Sequence, residues 1–430
     1  MNLFFFELEK LLKRKTTYIA ILLAMLALVA FYFLNYSAAI KIHRSNVAKL
    51  HKTVTEFPTI IDDLEEKWKV AEKNSDQEQL DTLQFQIEAT KEVLKKNKVM
   101  LEGFSSEDWS KVYPIQVENL QLIFQNIDST MNSPYWIQEQ GGSWFTVRAT
   151  LEERKLLNEI NAESFIQADI QRPFIRTIYE KFSGSAVNEW KDMTVRYGVT
   201  GFQFLYQIFQ SLFIPVIILF GCFVFGNNIA LEAGKKRRGL NFYAVLPISK
   251  EKLFFAKYFA GLLLTFSFVL SMLLLPIVIS LFTKGVGDLD YPILVYDGNP
   301  ALETATTLNS LADSFHFINM GTYLLESVIL TVLLIFFLYT FYYVVSLFFP
   351  NPTISFIIVG VVCILGIVVL PKSSFNPFIY LDTHQIINGA VATLHFNRDI
   401  AIQSGIISLI IFTFLTATIG FMKFRRGVVF

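Results

Sequence analysis

Six apolar runs, at 17–36, 204–226, 253–283, 322–349, 353–371 and 403–422, restrict this chain more than any other feature. A helix needs about twenty apolar residues to cross the hydrocarbon of a bilayer. Each run is about that long, and in lipid the backbone can satisfy its own hydrogen bonds locally only as a helix. The 430 residues are 53% hydrophobic and 17% charged, too apolar for a water-soluble domain of this size. The expected fold class is all-α: a polytopic membrane protein with six transmembrane helices. The first run has the basic flank of a signal peptide (Lys10, Lys13, Arg14, Lys15) and is followed by Ser37-Ala38-Ala39. Its apolar core is longer than a signal core, so 17–36 reads as an anchor.

Charge orients the spans. Residues 1–16, 229–258 and the tail after 422 hold fourteen Lys/Arg and four Asp/Glu, and the rest of the chain holds 23 bases and 33 acids. Six crossings put the three basic segments on one side, and Lys and Arg are retained in the cytoplasm. Both termini and 229–258 are therefore expected inside, and 37–203 outside. In the first sixteen residues Phe4, Phe5, Leu8, Leu11 and Leu12 share one side of a helix, with Glu7, Lys10, Lys13 and Arg14 opposite. That pattern predicts an interfacial amphipathic helix at 1–16, its charged face towards the cytoplasm.

The expected extracellular domain, 37–203, is helical. Val47, Leu50, Val54, Phe57, Ile61, Leu64, Trp68 and Ala71 alternate in steps of three and four. Leu80, Leu83, Ile87, Thr90, Leu94, Asn97 and Leu101 continue after the polar stretch KNSDQ. Two such stripes predict an antiparallel, coiled-coil-like hairpin, kinked or restarted at Pro58. A further helix is expected over 115–131. Thr150 and Glu153 have the spacing of a capping box opening a helix at 151–160, and 132–145 reads as a loop.

Polar groups within the spans are the candidate pathway or interface residues. Gln203, Gln207 and Gln210 are spaced to share one face of the second span, and Glu326 opens the fourth. Helix–helix hydrogen bonding and an interfacial carboxylate are the plainer readings of these groups. Pro215 and Pro276 are expected to bend their spans, and Gly221, Gly226, Gly360 and Gly366 to admit close neighbours. The segment 372–402 mixes aromatics with Asn-Pro and Asn-Gly turns, so it reads as re-entrant-like short helices on the outer side. His384 and His395 have no companion ligands in sequence, and Cys222 and Cys363 both fall within spans, so neither a metal site nor a disulfide framework is expected.

Between spans two and three, ALEAGKKRRGLNFYAVLPISKEKLFFAKYF combines four consecutive cations with an apolar turn. Glu232 can pair with Lys236 on a continuing helix, Gly239 breaks that helix, and an apolar patch facing water marks a docking surface. Glu232-Ala233-Gly234, Gly239, Leu246-Pro247-Ile248-Ser249-Lys250 and Lys257-Tyr258 follow in order, behind an N-terminal interfacial helix and with six spans. Over residues 1–36 and 204–430 this arrangement resembles the permeases of the ABC-2 exporter family, from which the long 37–203 insertion departs. The resemblance implies a bacterial cell-membrane protein, a membrane subunit with no enzymatic activity of its own, whose loop 229–252 is a coupling helix seated in a separate ATPase. Glu232, Gly234, Arg237, Leu240, Phe242, Leu246, Pro247, Ile248, Ser249 and Lys250 would form that contact. It also implies two ATPase subunits holding ATP and magnesium, a second permease unit, and export of a hydrophobic or amphipathic substrate such as a peptide, lipid or drug. The chain contains no GxxxxGK[ST] phosphate loop, and nothing in it points to a nucleic acid. The competing reading is a membrane receptor or secretion-system scaffold whose extracellular domain is the functional part and which has no ATPase partner.

Overall fold

The computed structural model describes residues 3–127, 142–180, 182–233, 248–299 and 307–426. A short helix, α1 (Leu3–Leu12), turns at Lys13-Arg14 into α2 (Lys15–Lys73), a single helix of 59 residues. At about 1.5 Å per residue α2 is nearly 90 Å long, so the first apolar run and the first arm of the hairpin are one rod. Helix α3 (Gln77–Ser106) returns along its distal half, joined through Asn74–Asp76, with Asp76 capping the backbone N–H of Gln79. The two stripes meet: Leu50, Ile61, Ala71, Leu83, Ile87 and Asn97 are buried, and Lys91 bridges to Glu65 at 2.7 Å. No restart occurs at Pro58. The proline is exposed, and water can satisfy the Val54 carbonyl that its missing N–H would have bonded.

Helices α4 (Trp109–Ile127) and α5 (Trp144–Ile160) pack on each other and complete the distal domain with β1 (Ile166–Gln167), α6 (Ala186–Thr194) and β2 (Arg196–Tyr197). Leu120, Val147, Leu151, Phe174 and Trp190 form their local core. The helix expected at 151–160 begins earlier, with Ser143 as its cap. Thr150 is in mid-helix and buried, bonded to the carbonyl of Thr146 and the N–H of Ile175, and Glu153 pairs elsewhere. Of the expected loop 132–145, residues up to 141 lie outside the described part, and Trp144 and Phe145 are helical.

The second apolar run is broken. It comprises α7 (Gly201–Gln210), α8 (Phe213–Phe225) and α9 (Asn228–Ala233), with Leu212 left-handed at φ 56 between the first two. Pro215 accounts for the position of the break, because the N–H that would pair with the Ser211 carbonyl is missing. Pro276 leaves α10 (Lys250–Ser280) uninterrupted. Next come β3 (Pro292–Gly298) and β4 (Ser314–Asn319), an antiparallel pair with Ile293 opposite Ile318 and Leu294 opposite Phe317. With β1–β2 this makes the chain mostly helical rather than wholly so. The β-branched and aromatic run in YPILVYDG, bounded by acidic and glycine residues, suits a strand.

Helix α11 (Met320–Phe348) is central: 67% of its apolar window is buried, against 11% for α2 and 22% for α15 (Ile402–Arg425), so the outer two present their apolar faces to the surroundings. Helix α12 (Pro352–Val368) is apolar but has 17 residues, about 25 Å of rise, short of a ~30 Å hydrocarbon layer. Among the described residues, five helical stretches (α2, α8 running on into α9 to Glu232, α10, α11 and α15) are long and apolar enough to cross a bilayer, consistent with a multi-pass membrane protein. Before α15, a 3-10 turn (Pro377–Leu381), α13 (Thr383–Ile387) and α14 (Ala390–Leu394) pack into the structure instead of lying as a free loop. Gly389, at φ 72, lets this segment approach β3, where the Tyr296 N–H bonds to the Asn388 carbonyl at 2.8 Å.

Close packing tests the fold. A Cβ at Gly261 would meet the Tyr339 hydroxyl and would lie 2.7 Å from the Phe225 carbonyl, whereas nothing lies within 4 Å of one at Gly360. Gly261→Ala should therefore destabilise the chain by about 1–3 kcal/mol, and Gly360→Ala should not. Thermal melting of the two variants side by side in detergent checks this; equal melting temperatures would contradict the packing.

Candidate functional site

The charged residues of α1 do not all face water. Glu7 and Leu11, four apart, are both fully buried against α10, while Phe5 on the other side is 60% exposed. The Lys257 ammonium meets Glu7 at 2.7 Å and Glu232 at 2.8 Å, with no side-chain exposure of its own. Lys10 also pairs with Glu232 and lies 4.0 Å from Glu7. Two carboxylates and two ammonium groups thus join α1, α9 and α10 in a neutral, mostly dry cluster.

Two asparagines extend the node. Arg14, at the start of α2, donates to Asn227 at 3.2 Å, and Asn228 donates to the Lys257 carbonyl at 3.2 Å. Above the cluster Tyr258 shares a 2.7 Å hydrogen bond with Thr340, and Tyr343 donates to the Phe254 carbonyl, so α11 rests on the same stretch of α10. The expected pairing of Glu232 with Lys236 lies outside the described residues; among those described, the cations of Glu232 come from α1 and α10. The charged face of α1 is likewise divided, with Glu7 inward and Glu9 and Lys13 exposed and paired to each other.

Glu232 and Lys257 bracket the basic, apolar segment, so the node holds both of its roots. Of the proposed contact residues, Gly234, Arg237, Leu240, Phe242, Leu246 and Pro247 lie outside the described residues. Ile248 is half-buried; Ser249 and Lys250 are exposed at the start of α10, where Ser249 caps the Lys252 N–H.

The three glutamines part company. Gln203 accepts from the Val199 N–H at 3.0 Å and donates to the Glu163 carbonyl at 2.7 Å. Gln207 accepts from the Gly198 N–H and donates to the Arg196 carbonyl at 2.6 Å, while Gln210 is exposed. Two of the amides thus pin α7 to the chain entering it. Arg196 in turn grips Glu153 bidentately at 2.6 and 2.8 Å. Burial works to raise the Glu153 pKa, but the Arg196 guanidinium outweighs it and holds the carboxyl below its usual range. Glu326 is half-buried beside a cleft. Among the glycines, Gly221, Gly226 and Gly366 face close neighbours; Gly360 does not. His384 is buried with Tyr323 at 2.9 Å and Asn388 at 3.2 Å, whereas His395 is exposed.

Where α2, α3 and the end of α10 converge, Lys284 pairs with Glu107, and His43 and Glu163 share the same small pocket. Burial pushes the Glu163 carboxyl up to about 7, against the pull of Lys284 and with Glu107 adding to the rise.

The chain matches no family model, no curated protein and no solved structure.

Two predictions follow from this geometry. Lys257→Met leaves two buried carboxylates short of a cation and should cost about 3–5 kcal/mol. Adding Glu7→Gln should restore part of that loss, read by thermal unfolding of the solubilised chain; no recovery would mean that the two residues are not coupled. For Glu163 the folded pKa of about 7 exceeds its ordinary 4.5, so the folded state binds more protons between those values. Stability should fall as pH rises from about 4.5 to 7, and Glu163→Gln should flatten that fall; an unchanged slope would refute the assignment.

Proposed function

We propose that this chain is the permease subunit of an ATP-driven exporter of the ABC-2 type, working with separate ATPase subunits. The observation that carries the reading is the buried node of Glu7, Lys10, Glu232 and Lys257, which fixes both roots of the segment 234–249 to one body. A partner pressing on a loop transmits force only if the ends of that loop cannot swing independently. Breaking a buried, hydrogen-bonded ion cluster costs several kcal/mol, so displacement of the loop would move α1, α9 and α10 together. Salt bridges at an exposed loop base would give way more readily.

On this reading the node end of the bundle faces the cytoplasm, and ATP and magnesium bind to the partner. Leu240 to Leu246, Pro247 and Ile248 would seat in the ATPase, with Arg237 and Lys250 against its surface charges. A second permease unit would cover part of the exposed apolar faces of α2 and α15, lipid the rest, and the substrate would be hydrophobic or amphipathic. The distal domain would stand outside a bacterial cell membrane, with the short α12 completing the sixth crossing where the bilayer thins around it.

Cysteine labelling tests the orientation cleanly, because Cys222 and Cys363 are both buried. Ser249→Cys should react with an impermeant maleimide only after the cells are opened. A nucleotide-binding subunit should copurify with the wild-type chain and be lost with Leu246→Asp/Ile248→Asp, while membrane insertion persists. Labelling of intact cells, or retention of the subunit by the double variant, would overturn the proposal. A chain that copurifies with no ATPase while its distal domain captures a ligand would favour the receptor or scaffold.

A further inference from the structure

At the other end of the bundle, a cleft of about 440 Å3 opens between β3, β4 and the chain from Ile386 to Gln403. That volume suits a small molecule. Ile318, Ile386, Ile387 and Ile402 give it an apolar wall, and the charges around it are unequally compensated. Asp313 is buried and committed, accepting from the Tyr179 hydroxyl at 2.8 Å and the Asn309 N–H at 3.0 Å. Asp297 is shared with His316 at 2.9 Å, and the exposed Arg398 donates to the Asn299 carbonyl. Glu326 differs from both acids. It lies six residues into α11, about 9 Å along the axis, half-buried on the cleft wall, with no hydrogen bond or ion pair to any described residue.

A carboxylate on an apolar helix is costly unless a cation or hydrogen-bond donor meets it. Among the described residues neither is supplied, while the adjoining isoleucines offer burial to hydrocarbon. We propose that this cleft binds a cationic amphiphile, with an ammonium or guanidinium head at Glu326 and an apolar body along Ile386, Ile387 and Ile402. Asp297 and Asp313 add negative potential at the same opening, so that among the described residues three carboxyl groups face the single guanidinium of Arg398 there, which favours cations over anions of equal size. The inference rests on the cleft alone and holds whether or not the chain works with an ATPase.

The test is calorimetric titration of the full chain in phosphatidylcholine nanodiscs, without ATP or any partner, using empty nanodiscs as the blank. Hexylammonium, hexanol and hexanoate serve as probes of equal tail and different charge. Hexylammonium should bind saturably and roughly tenfold or more tighter than the other two, as a charge-assisted hydrogen bond implies. Glu326→Gln should reduce hexylammonium binding to the level of hexanol, and Glu326→Asp should retain most of the preference. Ile387→Trp, which fills the cleft without altering its charge, should weaken hexylammonium and hexanol alike. Melting temperatures of all three variants confirm that each is folded. Equal binding of the three probes, no saturable hexylammonium binding, or full binding by Glu326→Gln would each overturn the proposal.

Discussion

Lys257 is an ammonium group with no exposure to water, held between two carboxylates from distant parts of the chain, Glu7 and Glu232. A lone charge at such a depth would forfeit several kcal/mol of hydration, and so would either carboxylate left alone. Each of the three therefore needs the others in place, and the base of the bundle is held as a unit. Helix α1 gains its position from this requirement as much as from its apolar residues, since Phe5 and Phe6 on its other side remain exposed. The cluster gains specificity more than net stability: an apolar substitute of the same shape would pack as well, but it would not demand one register of α1 against α10.

A second ionic anchor, Glu153 with Arg196, does similar work in the distal domain. Its guanidinium also donates to the Pro173 carbonyl, while the backbone carbonyl of Arg196 is held by Gln207 of α7. The distal domain is consequently fastened to the broken span by side chains from both sides. It is not suspended from α2 and α3 alone. Phe145, Ala149 and Tyr179 pack with Leu294, Tyr296 and Ala390, so the apolar contact runs from α5 through the β3–β4 pair to α14.

The sequence conveyed period well and partnership poorly. Each heptad position from Leu50 to Ala71 and from Leu83 to Asn97 is buried or half-buried, because a hairpin of adjacent segments has its partner encoded beside it. Glu7 shows the opposite case. On a helical wheel it belongs to the charged face, and nothing local distinguishes a carboxylate facing water from one facing Lys257, 250 positions away. Thr150 and Glu153 had the spacing of a cap, yet the helix already runs through them, and the acid was reserved for Arg196. Pro215 and Pro276 show the same limit. One proline adjoins a break and the other passes through an intact helix, and the difference lies in packing that propensity does not encode. The β3–β4 pair had a readable signal in YPILVYDG, hidden by its position between two dominant apolar runs.

The central helix joins the two ends of the molecule. Near its start Glu326 lines the cleft, and near its end Tyr339, Tyr342 and Tyr343 are fully buried, with Tyr343 bonded to α10 just before Lys257. Helix α10 makes the complementary run: it begins beside the ionic node and ends at Ser280, where Gly201 of α7 lets it pass within contact of the entry to the distal domain. Two helices of about thirty residues, joined at one end by aromatic packing and hydrogen bonds, adjoin different elements at the other. Close-packed interiors resist gradual deformation, so on the proposed reading a displacement of the node would be carried along both helices to different places, the wall of the cleft and the base of the distal domain. A push at residues 234–249 would reach the cleft by that route.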